Sequence, residues 1–218
     1  ANAGAAAVAA EIPTLPRAAI AGASRKDYGA VFLVRVWVEG CALVDRLAPE
    51  HLQIMTADPA DIALIPSVGY GVSTAGKVMD LPRGSRVLVL QDDHTSPVLE
   101  WMSRAEDGGF TVEQVNQPSD GDWTSAVLEA MTRKDAAPLS LVSISSVHWS
   151  DGGAIALPRI AEAARQAGAA FLVDATHDAG VRRIDVKTLD PDFLIFPTYK
   201  WVLGPYGRAF MYVAKRRQ

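Results

Sequence analysis

From residue 58 onward, short apolar runs alternate with amphipathic stretches at a regular interval. The runs at 62–65, 86–90, 110–114, 139–144, 169–173, 192–196 and 209–213 have strand length and are rich in Val, Ile, Leu and Phe. Between them, 71–79, 97–104, 122–131 and 157–167 carry apolar residues at helical spacing. Strands that are apolar almost throughout are buried on both faces, so the pattern predicts an α/β fold: a mostly parallel sheet with helices on both faces. Gly, Pro, Asp and Ser punctuate the connections. Upstream the rhythm differs. An Ala-rich helix is expected at 5–11, a short one at 18–23, a buried strand at 30–36, and a helix at 39–47 that Pro49 ends. No internal repeat is present.

Composition narrows the function classes. The 218 residues carry a net charge of −4, with a pI near 5.6. That balance argues against a nucleic-acid binder and against a basic membrane-surface protein. The single cysteine, Cys41, excludes a disulfide framework and a multi-cysteine zinc site. It suits a reducing, cytoplasmic setting. No metal site is expected. No apolar run reaches the ~20 residues of a membrane span, and the Ala-rich start lacks the basic n-region of a signal peptide.

In an open parallel sheet, ligands sit beyond the carboxyl ends of the strands. The residues found there include Gly69-Tyr70-Gly71, Asp92-Asp93-His94, the 145–151 loop, Asp174 to His177, and Pro197 to Lys200. Neither a dinucleotide fingerprint nor a P-loop is among them. Lys200 stands between Tyr199 and Trp201 with no acidic neighbour. A lysine held in apolar surroundings becomes a usable amine nucleophile; the alternative is a surface lysine carried out along its stem. Asp174 ends its strand and is either a second member of the same site or a local helix cap. A lysine for an aldehyde and a carboxylate for a pyridinium nitrogen are what pyridoxal phosphate requires. Gly69 at a helix start offers free N–H groups to a phosphate.

The segments LVSISSVHWSDGGAI, FLVDATHDAGV and PDFLIFPTYKWVLGPYG resemble the class V aminotransferase family, within the fold type I pyridoxal-phosphate enzymes. The resemblance spans about 58–218. It implies the large domain of that fold, a three-layer sandwich, without the C-terminal small domain that helps bind the substrate carboxylate. By matching position it implies that Lys200 forms the Schiff base and moves the α-proton, and that Asp174 pairs with the pyridinium nitrogen. His177 would bond the ring hydroxyl, and His94 would stack on the ring, the alternative being a loop histidine capping the next helix. Gly69 and Tyr70 would contact the phosphate. Trp149 and Ser150 would lie beside the ring, unless Trp149 serves only packing. One departure is Pro197, which lacks a donor where the family commonly has a hydroxyl residue; Thr198 compensates only if its side chain turns inward. With no cysteine in the matching half, cysteine desulfurase chemistry is expected to be excluded. The family further implies a homodimer and a small amino substrate. Transamination, racemisation and elimination all remain open.

Residues about 8–59 resemble a segment of histidinol dehydrogenase, most specifically at Leu47-Ala48-Pro49-Glu50-His51-Leu52. In that family the Glu-His pair does acid–base work. Its zinc ligands and most of its nucleotide-binding domain have no counterpart here, so Glu50 and His51 are expected to be loop residues at a helix end. The sequence therefore predicts a hybrid chain, 1–57 and 58–218, joined near Thr56-Ala57-Asp58-Pro59. Two rival functions stand beside the pyridoxal-phosphate enzyme: a non-catalytic fragment or fusion, and a residual oxidoreductase.

Overall fold

In the computed structural model the chain divides into two compact units, Ala1–Glu50 and His51–Gln218. The structure describes residues 61–218, together with residues 10, 12–14, 18 and 19. The strand expected at 30–36, the helix expected at 39–47, and Glu50 and His51 lie outside the described residues. Of the first unit, a 3-10 turn at Ile12–Thr14 is described.

The second unit is built from β1 (Ile62–Ile65), α1 (Val68–Val78), β2 (Arg86–Leu90), α2 (Ser96–Gly108), β3 (Thr111–Val115), α3 (Trp123–Thr132) and β4 (Leu139–Ser145). These are followed by α4 (Leu157–Ala167), β5 (Ala170–Asp174), the single turn α5 (Val186–Leu189), β6 (Phe193–Pro197) and β7 (Ala209–Val213). The strands form one sheet in the order β1-β7-β6-β5-β4-β2-β3. Neighbours from β3 through β6 run parallel. β7 is antiparallel to both β6 and β1. This is the mostly parallel α/β sheet expected from the pattern. β7 reverses because the link from β6 is too short for a crossover helix.

Side chains alternate between the two faces of a strand, and the two faces hold two cores. Leu88, Leu90, Val142, Ile144 and Val173 pack with Trp123 of α3 and Ile160 of α4 on one side. Val87, Val89, Leu141, Leu172 and Ile195 pack with Val72 of α1 and Trp101 of α2 on the other. Burial on both faces is why the strands read as continuous apolar runs. Helix α1 starts at Val68, three residues before its apolar period suggests, because Ser67 caps it: its Oγ accepts from the Tyr70 N–H at 3.1 Å. The chain leaves β2 for the edge strand β3, then returns across β2 to β4. The carboxyl ends of β2 and β4 therefore flank the point where strand order reverses, where a crevice opens in such sheets.

Candidate active site

Asp93 follows β2 and closes this reversal point. Its Oδ1 accepts from the Ser145 hydroxyl at 2.7 Å and from the His94 N–H at 2.7 Å. Its Oδ2 accepts from the Ser145 N–H at 3.1 Å. Burial pushes the Asp93 carboxyl above the usual range, against the lowering effect of these donors.

Ser145 ends β4 and pairs in register with Asp174, which ends β5. Asp174 is 1% exposed. Its Oδ1 accepts from the N–H of Thr176 at 2.9 Å and from the Thr176 hydroxyl, while its buried Oδ2 has no partner. Burial, with the Asp93 charge adding to it, pushes this carboxyl up to about 7. His177, one turn further, is half-buried, and its Nδ1 is buried without a partner. Burial, then the positive charges of Lys200 and His94, hold its pKa below that of an ordinary imidazole.

Lys200 reaches the same edge from the end of β6. The apolar burial expected for it is not observed: the side chain is exposed, with Nζ 5.9 Å from the centroid of the Tyr199 ring. That ring stacks on Tyr206 at 4.3 Å. The loops after β5 and β6 meet at Gly180. Its φ is +96°, and a Cβ there would stand 2.7 Å from the Trp201 carbonyl oxygen.

The remaining candidates take varied positions. Thr198 is buried, but its hydroxyl donates to the Pro205 carbonyl at 2.6 Å and its N–H to the Arg208 carbonyl at 3.0 Å. The inward turn needed to compensate for Pro197 is thus replaced by closure of its own loop. His94 is exposed, and its Nδ1 accepts from the Ser96 N–H at 3.5 Å, at the start of α2. Thr95 supplies no side-chain cap there, so the helix-capping reading of His94 describes this contact. Gly69 lies in the first turn of α1, where a Cβ would be 3.9 Å from Ser96 Oγ; the starts of α1 and α2 are neighbours. The Tyr70 N–H is taken by Ser67, and its side chain is exposed. The Trp149 indole donates to the Asp92 carbonyl at 2.6 Å. Ser150 Oγ lies 3.1 Å from His148 Nδ1.

Sequence reasoning missed the roles of Asp93, Ser145 and His148. Asp93 stood in view in the run Asp92-Asp93-His94, but only the register across β2 and β4 tells which carboxylate turns inward. His148 is fully buried, stacks on Trp123 at 4.4 Å, and donates from Nε2 to the Gln91 carbonyl at 3.0 Å.

A model of the aminotransferase class-V family matches residues 69–218. The chain belongs to that family. Among its curated relatives, a cysteine desulfurase IscS of Pseudomonas entomophila is 33% identical over 167 residues, 75% of this chain and 40% of the relative. An uncharacterized aminotransferase YcbU of Bacillus subtilis is 28% identical over 82% of this chain and 46% of its own length. The chain thus spans less than half the length of these class-V relatives. The expected exclusion of desulfurase chemistry rests on the cysteine count of this stretch alone. Among solved structures, the cysteine desulfurase CsdA of Escherichia coli shares the fold with a TM-score of 0.65 at 19% identity, over 86% of this chain and 48% of that one. A C-DES lysine-to-alanine mutant, with glycine covalently linked to its PLP cofactor, aligns with the same TM-score at 21% identity, over 96% of this chain and 54% of that one. Separately, a histidinol dehydrogenase model matches residues 1–84. The histidinol dehydrogenase of Cereibacter sphaeroides is 56% identical over 57 residues, 26% of this chain and 13% of that enzyme. The two resemblances expected from the sequence are both borne out.

Proposed function

We propose that residues 58–218 form a pyridoxal-phosphate-dependent enzyme domain acting on an amino acid or small amine, with Lys200 as its working amine. The observation that carries this reading is Asp174 Oδ2, a fully buried carboxylate oxygen with no donor at the carboxyl edge of the sheet. Leaving such an atom unpaired costs about 1–3 kcal/mol or more. A protonated ring nitrogen supplies both the missing hydrogen bond and the missing positive charge. The orphaned Nδ1 of His177 offers a second polar contact, suited to a ring hydroxyl. The first turn of α1 at Gly69 faces the edge with a helix N-terminus, a fit for a phosphate. Tyr70 adds an exposed phenol there. Pro197 contributes no donor, and Thr198 has committed its hydroxyl proton. Phosphate binding therefore falls to α1 and the neighbouring start of α2.

When bound, pyridoxal phosphate supplies an electron sink for the charge left when a proton leaves the α-carbon of an amine. Asp174 would pair with its ring nitrogen. Lys200 would hold it in place and move the proton at Cα as general base, its side chain being exposed. His94, whose Nδ1 accepts from the Ser96 N–H, would lie beside it. These steps are common to transamination, racemisation and elimination, and the substrate class is an amino acid or small amine. A homodimer is part of the proposal. Tyr70, Trp149, Trp201, Leu203 and Tyr206 are exposed around this edge, a concentration of apolar surface that suits a partner subunit. A cytoplasmic location accords with the lone cysteine. A second reading is a cofactor-binding domain without turnover.

The test is to add pyridoxal phosphate, record the visible spectrum, reduce with borohydride, and locate the attached mass by peptide sequencing. Attachment at Lys200, lost in Lys200→Ala, is the expected result. No visible band in the unaltered protein sinks the cofactor assignment. Spectral change with a panel of amino acids then separates an enzyme from a binder.

A further inference from the structure

The loop after β2 contributes a group that the family resemblance does not assign. We propose that Asp93 is a positioning residue of this site: its carboxylate locks the β2 loop onto β4 and places a second acidic group beside Asp174. The inference deepens the pyridoxal-phosphate reading and rests on it for its functional meaning.

Three donors converge on Asp93, namely the Ser145 N–H, the Ser145 hydroxyl and the His94 N–H. Two of them belong to the residue paired in register with Asp174. The carboxylate therefore bridges the point where strand order reverses, and places its charge one strand away from the acid with the orphaned oxygen. A three-donor anchor fixes the position of the carboxylate, and the donors offset part of the burial that pushes it up. The third donor ties the backbone of His94 to the same anchor. Removing Asp93 thus frees the His94 loop and lowers the negative charge of the pocket together.

The surrounding titratable groups are few. His148, after β4, interacts electrostatically with Asp93 and is held by the Gln91 carbonyl. Asp174 and His177 face it from the β5 loop. Lys200 and His94 act on His177 through their positive charges. Two carboxylates lie at the floor of this site, and Asp174 still lacks a donor. Like charges in one buried site hold a proton between them unless a cation arrives. Asp93 consequently makes Asp174 a stronger partner for a protonated heterocycle, and a poorer host for a neutral one.

The experiment is carboxyl-carbon NMR titration of the full chain without cofactor, the Asp174 signal being assigned by its loss in Asp174→Asn. In Asp93→Asn the Asp174 carboxyl is expected to titrate lower than in the unaltered protein. With pyridoxal phosphate added, this variant is expected to retain it about tenfold less tightly. Ser145→Ala keeps both carboxyls and removes one donor from Asp93. It is expected to move the lower of the two titration steps upward, and it serves should Asp93→Asn fail to fold. An unmoved Asp174 titration in Asp93→Asn, or an unmoved lower step in Ser145→Ala, overturns the inference whatever the cofactor does. Unchanged cofactor retention in a folded Asp93→Asn overturns it as well. If the titrations move as expected but the unaltered protein takes up no pyridoxal phosphate, the charge coupling stands and the proposed function falls.

Discussion

Asp174 makes the fold depend on pH in a definite direction. Its carboxyl lies near 3.8 in the unfolded chain and is pushed up to about 7 in the folded one. Between those values the folded protein holds a proton that the unfolded chain has released. Stability therefore falls as pH rises through this window and stays lowered above it. The full effect is on the order of 2–4 kcal/mol. Asp174→Asn keeps the acceptor for Thr176 and removes the charge. Without cofactor, its melting temperature is expected to match that of the parent near pH 4 and to exceed it by several degrees at pH 8. Calorimetry at the two pH values checks this; equal melting temperatures at both contradict the buried charge. At this scale the strand ends told which sheet edge Asp174, His177 and Lys200 reach, but not that the Lys200 side chain is exposed. The sequence was a poor guide to hydroxyl and loop groups. Thr198 turned to its own loop, and Asp93 was indistinguishable from Asp92, which takes a positive φ of 53° and points its carbonyl at Trp149.

Among the elements, α1 carries the clearest packing constraint. A Cβ at Gly71 would come within 2.7 Å of Ile65 Cδ1 and 3.1 Å of Ile195 Cδ1, so the helix lies directly on β1 and β6. Gly71→Ala is expected to cost about 1–3 kcal/mol by overpacking and to displace the helix start. Gly69→Ala, with only Ser96 Oγ near at 3.9 Å, is expected to leave stability nearly unchanged. Urea denaturation of the pair decides whether close packing or simple glycine content matters. Element positions were largely legible. The expected 86–90, 157–167 and 209–213 match β2, α4 and β7 residue for residue, because long apolar periodicity and Gly or Pro boundaries agree there. Helix α5 was missed because one turn is too short to show a period. Its start is set instead by Asp185, whose side chain accepts from Lys187 and Thr188.

For the molecule as a whole, the alternation of strands and helices announced the sheet. The strand order did not follow from it, since placing β7 between β1 and β6 depends on contacts far apart in sequence. The two family matches divide the chain unevenly. The histidinol dehydrogenase relative is matched over 13% of its length, too little to carry a metal, a nucleotide and a substrate together. With histidinol, NAD and zinc, the chain is expected to produce no reduced nucleotide, measured by absorbance. Turnover lost in His51→Ala would restore the oxidoreductase reading.

The contact at Gly180 gives the site a calibrated gap. The loop bearing Asp174 and His177 rests on the loop bearing Lys200 through peptide groups, with no side chain between them. The spacing of the two loops at this point is therefore gauged by backbone, as in a calliper, while the exposed Lys200 side chain keeps its own reach. A single methyl group at 180, meeting the Trp201 carbonyl at 2.7 Å, forces the jaws apart.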